Sequence, residues 1–218
     1  MNSRAERQGI AFVLSAPSGT GKTTLAAELL RRVQGLTRTI SCTTRPPRQG
    51  ESGGVDYTFI DENRFQELRD NGDFLEWARV HENLYGTPRS EIERIRAAGE
   101  DALMVIDVQG GEQVGDRLDD AVMIFVLPPS TDALRRRLEG RDGAVSEARS
   151  TMNLRLRNAT EEISRFVGYD YLVINDSLAE AVEELQAIVL AERCRRTCRH
   201  EAGQEILDSF RASLRDSV

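Results

Sequence analysis

Apolar residues are distributed along the chain in two rhythms. Short continuous runs occupy 10–14 (IAFVL), 103–106 (LMVI), 123–127 (MIFVL) and 172–174 (LVI). Runs that are apolar at every position suit strands buried on both faces, as in a parallel sheet. Between them the spacing becomes helical. Leu25, Leu29 and Val33 make one stripe that stops near Gly35, and Leu178, Val182, Leu185 and Val189 make another. This alternation predicts an α/β fold, a parallel sheet flanked by helices. The stretch from 36 to 90 breaks the rhythm, with short strand signals at 39–43, 57–60 and 74–78 that are polar on one side. It is too long for a crossover and reads as a small mixed or antiparallel sheet standing beside the main one. Beyond 191, Ile206, Phe210 and Leu214 continue at helical spacing. The pattern leaves open whether that face docks on its own subunit or makes a homo-oligomer.

Length and composition narrow the class. With 218 residues, 39% of them hydrophobic, the chain can bury the core of one α/β domain with inserts. It has no apolar stretch of membrane-span length, and residues 1–8 lack the apolar centre of a signal peptide. A cytoplasmic location and no membrane partner are therefore expected. Cys42, Cys194 and Cys198 are too few and too unevenly placed for a disulfide framework. Cys194, Cys198 and His200 offer three zinc-type ligands without a fourth, so a solvated helix end is the better reading. A net charge of -7 argues against nucleic acid as a partner and for arginines that act locally on the phosphates of a small substrate.

The chemistry is densest directly after the first run. Residues 15–24 read SAPSGTGKTT, and Gly21, Lys22 and Thr23 fill the last three places of G-x-x-x-x-G-K-[ST], with Ala16 in place of the opening glycine. In such a loop, which runs Ala16, Pro17, Ser18, Gly19, Thr20 and Gly21, the two glycines let the backbone curl so that N–H groups point inward around phosphate oxygens. Lys22, read as an exposed loop side chain, reaches the outer phosphates, and the hydroxyl of Thr23 serves a magnesium ion. The following helix contributes the positive end of its dipole. Strand, glycine-rich loop and helix together make this a nucleoside triphosphate site; a glycine-rich turn that merely joins strand to helix is the bland alternative.

A second set of signals lies in the insert. Arg45-Pro46-Pro47-Arg48 holds two guanidinium forks on a stiff turn, matched to phosphate oxygens. Alone it would pass for a solvated basic loop, and Glu76 beside Trp77 for a surface carboxylate. Taken together, SAPSGTGKT, SCTTRPPRQGE, VDYTF, FLEWA, NLYGT, IDVQG, FVLPPS, RLEGR and YLVIND occur in the order found in guanylate kinases, which the chain resembles from about residue 8 to 192.

The resemblance implies a P-loop fold with a five-stranded parallel sheet (core 9–35, 91–137 and 159–190), a GMP-binding insert (36–90), a lid (138–158) and a helical tail (191–218). It implies ATP and GMP as substrates, dGMP beside GMP, and Mg²⁺ as the cofactor carried with ATP. Ser41, Arg45, Arg48, Tyr57, Glu76, Tyr85, Thr87 and Asp107 are implied around GMP, with Glu76 an acceptor for the two donors on guanine's N1 and N2 edge. Arg137 and Arg155 match lid arginines over the ATP phosphates, and Asn175 a position near adenine. Lys22, Arg45, Arg48, Arg137 and Arg155 are thus the implied catalytic set. Val105 departs from the family, which carries an acid two residues before Asp107; on one strand the two side chains should face the same way. Two rivals remain: a partner-binding module that has lost catalysis, against which Lys22, Thr23, Arg45 and Arg48 argue, and a kinase for another nucleoside monophosphate, against which Glu76 and Thr87 argue.

Overall fold

A computed structural model describes residues 9–80, 82–141 and 149–215, so part of the expected lid lies outside the described residues. The first apolar run forms β1 (Ala11–Ser15), buried at every position. The stripe of Leu25 and Leu29 lies on α1 (Lys22–Arg32), and Val33 caps it. β2 (Leu36–Arg38), β7 (Asp101–Ile106), β8 (Val122–Leu127) and β9 (Tyr171–Ile174) complete a five-stranded sheet in the order β2-β7-β1-β8-β9, parallel throughout. With β1 in the middle, its successors lie on both sides, and the strand order reverses at its carboxyl end. That crevice is where open α/β sheets bind ligands.

The signal at 39–43 is a strand only at its end, and a strand that the apolar pattern did not announce, β2, precedes it. Leu36–Arg38 pairs with β7 in the main sheet, whereas β3 (Cys42–Thr43) belongs to the second one. The second sheet runs β4-β3-β6-β5, with β4 (Thr58–Phe59), β5 (Phe74–Val80) and β6 (Asn83–Pro88), and α2 (Glu62–Asp70) packs on it. β3 is parallel to β4 and antiparallel to β6, giving the mixed sheet that one-sided polarity predicts. Its small core is Cys42, Phe65, Phe74 and Leu84, with the Phe65 and Phe74 rings 4.6 Å apart.

Two apolar layers cover the main sheet. On one face Phe12, Leu14, Leu103, Ile124 and Val126 meet Leu25 and Leu29 of α1 and Val182, Leu185 and Val189 of α7 (Leu178–Glu192). On the other, Val13, Met104 and Met123 meet Ile92 and Ile95 of α3 (Arg89–Ala97) and Val114 of α4 (Val108–Arg117). Neighbours along a strand therefore serve opposite layers, which is why the runs are apolar at every position. Leu134 and Leu138 of α5 (Thr131–Arg141) form a satellite cluster with Met152 and Ala159 of α6 (Arg149–Ser164). A further helix, α8 (His200–Arg215), ends the chain. Among the described residues no helix is long and apolar enough to cross a membrane.

Candidate active site

β1 delivers the chain to the loop at its carboxyl end, where Gly19 (φ 83°) and Gly21 (φ 94°) take left-handed conformations that side chains disfavour. Gly21 is the N-cap of α1 and supplies no side-chain cap, so the first N–H groups of that helix stay available to an anion. Thr23, in the first turn, is exposed. Lys22 corrects the sequence reading: it is half-buried, and its Nζ donates to the Ile106 carbonyl at the end of β7. Burial pulls its pKa down to about 8, against the opposing pull of Asp107, Glu162 and Glu76.

Two other predicted residues brace this loop. Arg137 of α5 donates to the carbonyls of Thr20 (3.4 Å) and Asn175 (2.8 Å), and the Asn175 amide, following β9, donates to the same Thr20 carbonyl at 2.7 Å. A Cβ on Gly21 would lie 2.7 Å from that amide nitrogen, so the loop needs glycine there on contact grounds as well. Arg155 stands half-buried on α6.

Across the crevice, the second sheet presents a chain of oxygens. Ser41 Oγ lies 3.0 Å from Thr87 Oγ1, which donates to Glu76 Oε1 at 2.5 Å. The pairing of Glu76 with Thr87 on adjacent strands sets this contact. Glu76 is only 4% exposed, and burial, with the neighbouring Asp107 charge adding to it, pushes its pKa up to about 7. A Cβ on Gly110 would come within 2.7 Å of Glu76 Oε2, so the insert's carboxylate meets the first turn of α4. Asp107 is the N-cap of that helix and accepts from Gly110 N at 2.8 Å. The expectation that Asp107 shares a strand face with Val105 is corrected here: β7 ends at Ile106, Asp107 opens α4, and Val105 packs against the core layer that holds Leu14 and Leu25.

At the far end of the insert, Arg45 Nε donates to the Tyr85 hydroxyl at 3.2 Å, and its guanidinium lies 5.3 Å above the Tyr57 ring. The Tyr57 and Tyr85 rings meet edge to face at 5.9 Å. Arg48 is exposed on the proline turn. The structure thus gathers Ser41, Glu76 and Thr87 with Asp107, and groups Arg45 with Tyr57 and Tyr85.

Comparison with known proteins decides the family. The guanylate kinase family model matches residues 8–192. The chain belongs to the guanylate kinase family. A guanylate kinase of Geobacter metallireducens is 45% identical over 190 residues, covering 87% of this chain and 92% of the relative. One from Rhodopseudomonas palustris strain CGA009 is 42% identical over 217 residues, 99% of this chain and 95% of the relative. The crystal structure of guanylate kinase from Anaplasma phagocytophilum superimposes with a TM-score of 0.70 at 35% identity, covering 88% and 90% of the two chains. The five-stranded sheet, glycine-rich loop and flanking helices are accordingly a P-loop kinase fold, and the chain is a nucleoside monophosphate kinase.

Within this guanylate kinase site, sequence reasoning passed over three residues. Glu51 grips the Arg45 guanidinium through both oxygens, at 2.7 and 2.9 Å, and accepts from Arg48 N at 2.8 Å. Its place three residues after Arg48 in RQGE was the available signal. Gln113 of α4 accepts from Trp77 N at 3.2 Å and donates to Trp77 O at 2.7 Å, completing the outer edge of β5 as a neighbouring strand would. Glu162 of α6, half-buried, adds a carboxylate that acts on Lys22. For the last two no local motif exists, because they meet the site only through the fold.

Proposed function

We propose that this chain moves the γ-phosphoryl group of ATP to GMP, and to dGMP, giving GDP or dGDP. The observation that carries this reading is the meeting of Glu76 with the start of α4, which sets a buried acceptor for a base across the crevice from the triphosphate loop. Guanine presents two adjacent N–H donors, which an ionised Glu76 accepts, while Ser41 and Thr87 serve the remaining polar atoms. Adenine lacks that paired edge and would leave the carboxylate buried and unpaired, a mismatch that discriminates by about 10⁴ to 10⁵. Arg48, Tyr57, Tyr85 and the braced Arg45 receive the GMP phosphate. The loop from Ala16 to Gly21, with Lys22, holds the ATP phosphates, and Arg137 and Arg155 come from the lid side.

Phosphoryl transfer needs little covalent work from the protein: in-line positioning and neutralisation of spreading charge suffice, with no general base. Lys22 must leave the Ile106 carbonyl to reach a phosphate, and its neighbours Asp107 and Glu162 favour the charged form it needs. Closing the insert toward the lid excludes water as a competing acceptor. The donors at hand for Mg²⁺ are hard oxygens, the Thr23 hydroxyl with a carboxylate such as Asp107 nearby, which fits an ion held mainly by the nucleotide's own phosphates. When bound, that ion supplies charge neutralisation on the phosphates. The test is a coupled assay with ATP, Mg²⁺ and each of GMP, dGMP, AMP, CMP and UMP. Turnover of GMP at least about a hundredfold above AMP is expected; equal turnover of the two would overturn the reading.

A further inference from the structure

β2 ends on Arg38, and the chain passes there from one sheet to the other. Thr39 is still tied to the main sheet, its N–H on the Leu103 carbonyl at 3.0 Å, and by Cys42 the chain has entered β3 of the second sheet. Arg38 therefore belongs to the main sheet, yet its half-buried side chain reaches the insert: the guanidinium carbon lies 6.0 Å from the centre of the Tyr57 ring. The Arg45 guanidinium lies 5.3 Å from the same ring, so one tyrosine holds two cations, one from each sheet. On its other side, Arg38 is close enough for its charge to act against that of Lys22. It stands between the triphosphate loop and the arginine–tyrosine end of the insert.

The two arginines differ in what they can still offer a ligand. Arg45 is neutralised by Glu51 and also donates to the Pro46 carbonyl and the Tyr85 hydroxyl. Arg38 has neither an ion pair nor a side-chain hydrogen bond among the described residues, so none of its five N–H groups is committed to protein. Two cations over one ring repel, and a guanidinium taken half out of water without a carboxylate is costly; the ring face offsets only part of that. An anion accepting from both arginines relieves the repulsion and fills the free fork. A phosphate monoester, with about two negative charges and three acceptor oxygens, is the group matched to that pair.

We propose that Arg38 is a further phosphate-binding residue, which grips the GMP phosphate from the main sheet while Arg45 and Tyr57 hold it from the second. This role rests on the reading of the insert as a nucleoside monophosphate site, but not on which base is chosen. With contacts from both sheets, the phosphate itself draws the insert onto the core. The test is calorimetric titration of the full chain with GMP, for the wild type, Arg38→Met and Arg38→Lys at low and high salt, together with the KM for ATP. Methionine keeps an apolar stem against Tyr57 and removes the charge. Arg38→Met should raise the GMP dissociation constant at least about tenfold at low salt, the scale of a charge-assisted contact. It should also flatten the salt dependence of GMP binding and leave the KM for ATP within about twofold. Arg38→Lys, which keeps the charge without the fork, should fall between the two. AMP carries the same phosphate, so Arg38→Met should weaken AMP by the same factor and leave the ratio of the two affinities unchanged; a wild type without preference for GMP would overturn the guanine reading and not this role. GMP affinity within about threefold of the wild type, an unchanged salt dependence, or a KM for ATP that rises in step with the GMP dissociation constant would overturn the assignment of Arg38.

Discussion

Arg45 is held by Glu51 in a bidentate ion pair. Four of the donor contacts a guanidinium can make are already used: two on Glu51, one on the Pro46 carbonyl and one on the Tyr85 hydroxyl. A guanidinium has five N–H groups. Arg45 therefore enters the site as a fixed brace with about one N–H to spare, and the Glu51 carboxyl is held down to about 2 by that guanidinium. Glu51→Gln should loosen Arg45 and the turn that carries Arg48, raising the KM for GMP about tenfold with less than about a threefold change in kcat, the signature of lost uniform binding. Steady-state kinetics in GMP decide it. A fall in kcat with unchanged KM would show that Glu51 acts in the transition state instead.

Glu76 joins base recognition to pH. Its folded pKa, about 7, lies above the ordinary value of 4.5, so the native state binds more protons than the unfolded chain between those values. The stability it contributes is present below pH 4.5 and lost as pH rises through 7. Glu76→Gln should therefore gain on the wild type by about 2 to 3 kcal/mol between pH 4.5 and pH 8 in denaturant titrations without nucleotide. The same variant should bind GMP more weakly and relax the choice against AMP. A stability difference that is flat with pH would remove the buried-carboxylate account.

Lys22 shows the same exchange of stability for function in the opposite sense. Its pKa is lowered to about 8, so below that pH the native state carries a poorly solvated ammonium, and stability is recovered only as pH rises toward 10.5. At pH 7 the Lys22→Met variant should lose more than about nine-tenths of its turnover, as removal of a group worth several kcal/mol in the transition state requires. It should also unfold about 1 to 3 kcal/mol harder than the wild type without nucleotide. Thermal melts with and without ATP separate the two effects, since ATP should favour the wild type.

What the sequence disclosed follows from how local each signal is. The four apolar runs and the glycine-rich loop are contiguous, and the strands and loop lie where those runs predict. β2 was missed because Leu36–Arg38 has too few apolar residues to stand out; it is a strand because β7 lies beside it. Glu76 and Thr87, eleven residues apart, could be grouped only through family resemblance, and their pairing across β5 and β6 supplies the physical reason. The contacts of Gln113 with Trp77 and of Arg137 with Thr20 join elements far apart in sequence, so no periodicity could announce them.

Gln113 tests whether the edge of β5 matters to the site. Removing its amide leaves the Trp77 N–H and C=O without their partner, a loss of about 1 to 3 kcal/mol when such groups are shielded from water. Because Trp77 follows Glu76 directly, Gln113→Ala should also raise the KM for GMP several-fold, while the KM for ATP stays within about twofold. Kinetics in each substrate, with a denaturant titration, check the pair of effects. Equal changes in both KM values would mean that the substitution disturbs the whole fold.

Asp107 has two separable duties, and side-chain chemistry can divide them. Its Oδ1 caps α4 by accepting from Gly110 N, and its charge acts on Lys22 and Glu76. Asparagine caps a helix about as well as aspartate, so Asp107→Asn should keep stability within about 0.5 kcal/mol, whereas Asp107→Ala should lose about 1 kcal/mol. Both variants remove the charge, and both should lower turnover by about 10² or more, the scale of one well-placed electrostatic group. Val105 points into the apolar layer with Leu14 and Leu25, away from the capping carboxylate. A glutamate there would have to bury its charge or turn away from that layer, so Val105→Glu should destabilise the fold while changing the turnover of the folded fraction by less than about tenfold. Near-normal turnover in Asp107→Asn would reduce this residue to a helix cap, and a large gain in Val105→Glu would mean that an acid at this position of β7 can reach the phosphates after all.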